Sequence, residues 1–483
     1  MLFSSPIFLF LYLPIFLFIY YLLPAPQTST GHRSMTWKNA FLFGASLVFY
    51  AWGEGPVVAV LLLSAGINFV AGRLIENGQR RVGLWLSLIG SLSLLFYYKY
   101  SNFAVDSARG FAEAFSLPLA DSMQLAAIAL PIGISFYTFQ GISYTLDIYW
   151  GRIRANKSFI NYGTYVAMFP HQIAGPIVRY ADIAPELAER HVTIEKFGLG
   201  AERFIIGLAK KVLLANTFAS LADQIFNARL TDINTPTAWL GIIAYSFQIY
   251  FDFSGYSDMA IGLGKMVGFD FKENFNYPYI ARSMQDFWRR WHISLSSWFR
   301  DYVYNPLGGN RGSEFKTYRN LLIVFFVTGL WHGASLNFIV WGLFHGVFLL
   351  IERAGAGRWL DRAPAFVGHV YTLLVVLVGW VFFRATDLSS AVAYLGKMIG
   401  LGVEGASVAY PPSFFLSTEV VVSLILAFVL VTPVYHRFQR VWQKLPAPGP
   451  RELAYSLVLF GLFVMAVMYL AADTYNPFIY FRF

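Results

Sequence analysis

The sequence predicts an all-α integral membrane protein, and three observations carry that prediction. Of its 483 residues, 57% are hydrophobic and 13% are charged, which is more apolar length than one soluble core buries. The apolar residues fall in repeated runs of roughly 17 to 25, the length at which a helix spans a bilayer with its backbone groups bonded internally. The basic residues behind the formal charge of +9 collect in short connecting stretches, as the positive-inside rule expects, so the charge does not call for nucleic acid as a partner. The absence of Cys excludes disulfides, thiol nucleophiles and thiolate metal sites, and suits either face of a bacterial inner membrane.

About 11 to 12 transmembrane helices are expected. In order they cover residues 7–23, 40–53, 56–72, 83–98, 124–150, 201–222, 237–264, 318–335, 337–350, 366–383, 415–434 and 453–471. The first run is read as a retained span, because "MLFSS" has no Lys or Arg ahead of it and no small-x-small cleavage site follows. Arg33 with Lys38, then Arg73, Arg80 and Arg81, then Arg152, Arg154 and Lys157 lie in alternate connections, which assigns those connections to the cytoplasm. Asp106, Glu113 and Asp121 occupy the connection between the last two groups. Continued along the chain, the same count makes 265–319 and 353–362 cytoplasmic, together with His436, Arg437, Arg440, Lys444 and Arg451. Both termini then lie on the periplasmic side, and residues 472–483 form an extracytoplasmic tail.

Two stretches depart from simple spans. "YVAMFPHQIAGPIVRY" (165–180) is broken by Pro170, Gly175 and Pro176 and reads as a re-entrant element, tolerated only where protein or a water cavity satisfies its backbone. Residues 388–401, with Lys397, read as an amphipathic helix on the outer surface. No internal repeat or linker divides 1–483, which reads as a single domain.

The chemistry-bearing residues cluster late in the chain. In "MQDFWRRWHISLSSWFRDYVYNPLGGNRG", Trp288 and His292 are four apart and are expected to share a helix face with Gln285. In "VTGLWHGASLNFIVWGLFHG", His332 and His345 sit inside apolar helices, where an ionisable group is costly and function is the default reading. The alternative for each is a core histidine bonded to a backbone carbonyl. "GLGKMVG" (262–268) has the outline of a phosphate loop, but Met259 replaces the first Gly and Met266 the Ser or Thr, which excludes it. With no G-x-S-x-G elbow and no H-E-x-x-H helix, histidine base chemistry inside a membrane remains, and no metal is expected.

The motifs "FWRRWHISLSSWFRDYVYNPLGG" and "GLWHG", preceded by "MFPHQIAGPIVRY" and "IYFDFSGYSDMAIG", resemble the membrane-bound O-acyltransferases, specifically the bacterial alginate O-acetylation type. The resemblance runs from the first span to the last. It implies a ring of tilted helices around a central tunnel, with acetyl-CoA as acyl donor from the cytoplasm. His332 in "LWHG" matches the family's catalytic histidine and His292 in "RWHIS" its second polar position. Arg289, Arg290 and Arg300 lie where the phosphates of such a donor would dock, or else are ordinary positive-inside anchors.

The terminal "FIYFRF" resembles the end of the small peptide that accompanies the teichoic-acid D-alanylating acyltransferase, which implies Tyr480 as an acyl carrier. The competing reading of that tail is an aromatic anchor at the membrane interface. The resemblance further implies a separate periplasmic acetyltransferase partner and an exopolysaccharide acceptor, alginate first, with peptidoglycan or cellulose as alternatives. A transporter with histidine proton relays is a reading from another class, but the duplicated halves such proteins show are not seen here. A purely structural scaffold leaves the buried histidines without a role.

Overall fold

The structure, a computed structural model, describes all residues except 28–32, 118–124, 402–409, 435–447, 473–474 and 480–483. Tyr480 therefore lies outside the described residues, as do Asp121 and the basic group 436–444. Among the described residues every regular element is a helix, and the extended pairings are two isolated bridges, Gln27 with Arg33 and Ile233 with Tyr410. Six helices among the described residues are long and apolar enough to cross a membrane: Thr36–Glu76, Arg80–Ala114, Ile194–Asn227, Leu336–Arg362, Ala365–Arg384 and Gly449–Ala472. The shorter apolar helices Phe8–Leu22 and Thr418–Leu430 coincide with two further expected spans. The chain is an all-α, multi-pass integral membrane protein.

Several expected boundaries move, each for a local reason. The runs 40–53 and 56–72 belong to one helical stretch, Thr36–Glu76, interrupted only by a single turn at Gly55–Val57 that contains Pro56. The span expected at 124–150 is helical only over Ile134–Tyr149. Pro131 cannot donate a helical hydrogen bond, and Gly133 adopts φ +76° where a Cβ would sit 2.6 Å from the Gln172 carbonyl oxygen. Helices Thr235–Met266 and Glu314–His332 occupy the expected 237–264 and 318–335, but they carry Asp252 and Asp258, and Glu314, Lys316 and Arg319 respectively.

The chain divides into two compact units. The first comprises Met1–Ala201 and Ala260–Lys272. Its helices meet through small and polar residues: Ser87 Oγ donates to Asn68 Oδ1 at 2.6 Å, Asn68 Nδ2 donates to Ser91 Oγ at 2.9 Å, and Ser87 and Thr145 are 2.7 Å apart. Arg190 is buried, and its guanidinium donates to Tyr20, Asn39 and the carbonyls of Val267 and Glu186. The stretch 165–180 is broken as expected, Phe159–Ala167 giving way at Met168 to the short helix Phe169–Gln172, and residues 162–178 are buried in protein.

The second unit comprises Glu202–Met259 and Glu273–Phe483. The expected amphipathic helix forms as Leu388–Met398, started by Asp387, whose carboxylate accepts the Ser390 N–H at 2.8 Å. Lys397 on it is buried with Ala391, Tyr394 and Met398. Ion pairs Arg203–Asp258 and Lys210–Asp258, at 2.6 and 2.7 Å, tie together two helices of this unit.

Candidate active site

His332 is the last residue of helix Glu314–His332, and the next helix, Leu336–Ile351, folds back against it. Glycines allow the close approach: a Cβ on Gly329 would lie 2.3 Å from the Phe338 carbonyl oxygen, and one on Gly342 would lie 2.2 Å from that of Phe325. The approach brings Trp341 edge-on to the His332 ring at 4.8 Å, with Trp331 at 4.7 Å and Phe383 at 5.3 Å.

His292 does not share a helix with Trp288. Helix Met284–Arg290 ends before it, helix Ile293–Phe299 begins after it, and His292 itself adopts φ +45°. This left-handed conformation is uncommon outside glycine and is held here by side-chain bonds. The first helix is fixed at its start by Ser283, which accepts the Asp286 N–H at 3.0 Å, and by Glu352, whose carboxylate accepts the N–H groups of Met284 and Gln285 at 2.5 and 3.0 Å. At the break, the buried Asn274 organises the turn. Its Oδ1 accepts the Ser294 N–H at 3.2 Å and the Ser294 hydroxyl at 2.8 Å, while its Nδ2 donates to Ser257 Oγ at 3.1 Å.

That network assigns the histidine's tautomer. Asn274 Oδ1 lies 3.1 Å from His292 Nδ1 and is an acceptor, so Nδ1 carries the proton and Nε2 is left with its lone pair. His292 is 1% exposed, and burial pushes its pKa down from 6.5 to about 3. Its ring meets Phe253 edge-on at 4.6 Å and Trp331 at 6.1 Å, and Trp331 in turn touches His332.

One narrow cavity is lined by both His292 and His332, with Trp291, Trp341, Trp380, Phe253, Phe383, Ile249 and Ile479 as its apolar walls. His345 is not among them. It is 1% exposed and enclosed by Trp288, Trp341 and Phe344, with neither ring nitrogen bonded among the described residues. Of the three arginines, Arg289 is exposed, Arg290 pairs with Asp286 at 2.8 Å, and Arg300 pairs side-on with Asp301 at 2.7 and 3.1 Å.

The tail enters the same site. Phe478 and Ile479, the two residues before Tyr480, are 3% and 5% exposed, Phe478 lying 4.7 Å from the Tyr256 ring. They are buried in protein and do not face lipid. Asp252, which accepts the Ile479 N–H, and Lys211, which donates to the Pro477 carbonyl, were not singled out from the sequence. The available signal was an ionisable group in an otherwise apolar helix, the same signal that marked the histidines.

The description of the membrane-bound O-acyltransferase family matches residues 151–389. The protein named "Probable alginate O-acetylase AlgI" of Pseudomonas putida is 43% identical, and that of Azotobacter vinelandii 41%, each over 100% of both chains. The peptidoglycan O-acetyltransferase of Helicobacter pylori is 36% identical over 86% of this chain and 83% of its own. The chain belongs to the membrane-bound O-acyltransferase family. It is an O-acyltransferase that works on an acyl donor.

Proposed function

We propose that this protein moves an acetyl group from cytoplasmic acetyl-CoA across the bacterial inner membrane for O-acetylation of a periplasmic exopolysaccharide, with Tyr480 as covalent carrier. The observation that carries the reading is the cavity shared by His292, His332 and Ile479, the residue directly before Tyr480. Alginate is the favoured polymer, because the relatives named for it match over their whole length at 41–43%, against 36% over 83% for the peptidoglycan enzyme.

In this mechanism His332 is the general base. A phenol of pKa about 10 is a weak nucleophile near neutral pH, and an imidazole of pKa about 6.5 can relieve it of its proton as it attacks. The Tyr480 oxygen adds to the thioester carbonyl, the C–S bond breaks, and the leaving thiolate takes the proton from the imidazolium. Tyrosyl acetate and CoA-SH result. His292, held neutral by burial and oriented through Nδ1–H to Asn274, hydrogen-bonds at the reacting centre through Nε2. Apolar cavity walls limit water and so protect the thioester and the ester from hydrolysis. Arg289 is the freest of the three arginines to meet the donor's phosphates, since Arg290 and Arg300 already hold carboxylates. Both termini are periplasmic in this scheme, where a separate acetyltransferase takes the acetyl group from Tyr480 and delivers it to the sugar.

The test is incubation of purified protein with radiolabelled acetyl-CoA, followed by peptide mass spectrometry, with Tyr480→Phe and His332→Ala alongside. Acetyl on the C-terminal peptide in the parent, absent from both variants, is the expected result. Transfer to a partner with no label on Tyr480, even when the partner is withheld, overturns the carrier step and leaves His332 acting on another acceptor.

A further inference from the structure

Lys211 and Asp252 form an ion pair at 2.9 Å with each side chain 2% exposed. Burying two charges costs more in desolvation than their attraction reliably returns, and apolar replacements of such pairs are often neutral or stabilising. Stability alone therefore does not account for this pair, but its remaining bonds do. Lys211 Nζ also donates to Asn216 Oδ1 at 2.8 Å and to the Pro477 carbonyl. Asp252 Oδ2 accepts the Ile479 N–H at 2.8 Å. Each member of the pair is completed by backbone from the C-terminal segment.

The grip extends upstream. Asn216 Nδ2 reaches Asn476 Oδ1 at 3.4 Å, and the Tyr475 hydroxyl donates to Asp223 Oδ2 at 2.6 Å, with Asp223 paired to Arg384 at 2.5 Å. Residues 475, 476, 477 and 479 are thus each held by a polar group of the same unit, and Phe478 between them packs on Tyr256. Nothing about an interfacial anchor needs hydrogen bonds to backbone at alternate residues.

We infer that Lys211 and Asp252 are positioning residues, a charged clamp that seats the C-terminal segment in the histidine cavity by binding the Pro477 carbonyl and the Ile479 N–H. Its importance for acyl transfer rests on the Tyr480 carrier reading; its grip on the segment does not. Because the clamp reads backbone, it tolerates changes of side chain at 477–479 and fails when either charge is lost.

The chain has no Cys, so a single introduced thiol reports locally. In full-length protein in detergent, Ile479→Cys is expected to react slowly with N-ethylmaleimide, and adding Lys211→Met or Asp252→Asn should raise the rate at least ~10-fold, the equivalent of about 1.4 kcal/mol. Ala391→Cys, at a fully buried site elsewhere in the unit, is the control and should not change. The double variant Lys211→Met/Asp252→Leu leaves no lone buried charge and should release position 479 as the single variants do. An unchanged rate at 479 overturns the clamp, and an equal rise at 479 and 391 overturns it too, as mere loosening. Acetyl transfer measured against the Ile479→Cys parent separates the two readings. A released segment with undiminished transfer keeps the clamp and sinks the carrier, whereas a released segment with transfer down at least ~10-fold supports both.

Discussion

His332 and His345 are both buried, both on helices that pack through glycines, and both edge-on to the same Trp341, at 4.8 and 5.1 Å. His332 lines a cavity together with His292 and Ile479, and His345 is not among the residues that line it. His345 is walled in, with its Nε2 so close to Gly379 that a Cβ there would lie 2.6 Å away. A buried imidazole is thus no mark of chemistry by itself. Access to a reactant, and neighbours that fix the ring's protonation, separate a base from a packing residue.

The contrast is sharpened most by His332→Ala, which should lower acetyl transfer by ~10²- to 10⁴-fold, the range that general-base help supplies. A residual rate near that of the parent would erase the distinction. Next is Asn274→Ala, which removes the acceptor that sets the His292 tautomer and the strained turn at φ +45°. Transfer should fall by ~10-fold, from the loss of one buried hydrogen-bond partner worth about 1–3 kcal/mol, and Asn274→Asp should recover part of it because an acceptor is restored. Equal loss in both variants would show that the turn's packing matters and the tautomer does not.

Protonation provides a third test. Burial holds His292 down at about 3 and His171, in the first unit, at about 4, both from 6.5. The unfolded chain binds protons on these rings as pH falls below about 6.5 while the folded chain does not, so their contribution is complete above that value. It is lost progressively as pH falls toward 4, at about 1.4 kcal/mol per pH unit for each ring. The thermal midpoint in detergent should drop between pH 7 and pH 5, and His292→Gln should reduce the drop. A midpoint flat across that interval contradicts neutral rings. The smallest effect belongs to His345→Leu, similar in volume and without the two unbonded nitrogens, which should change transfer by less than ~2-fold and leave the midpoint level or raised. A loss comparable to that of His332→Ala would give His345 a part in the reaction.

Composition and run length were enough to read the helical membrane class, and the "GLWHG" and "RWHIS" motifs led to the two histidines that share a cavity. What stayed hidden was set by contacts between distant segments. The helix read through Trp288 and His292 breaks because Asn274, 18 residues earlier, bonds the ring and the following serine. Lys397, the one charge in the run read as an amphipathic helix, lies on the packed side of that helix. Lys211 and Asp252 sit in runs whose apolar neighbours hide them, and their partners come from residues 477 and 479. Period and propensity describe one element at a time, whereas a tautomer or a clamp belongs to several.

The clamp also sets an order in biosynthesis. Ile479 follows Asp252 by 227 residues, so at ~5–20 residues per second the ribosome needs roughly ten to fifty seconds to supply the last bonds after the aspartate is made. During that interval Lys211 lacks one acceptor and Asp252 one donor. A chain arrested before Pro477 lacks both bonds, so the buried pair is completed only once the last residues are made.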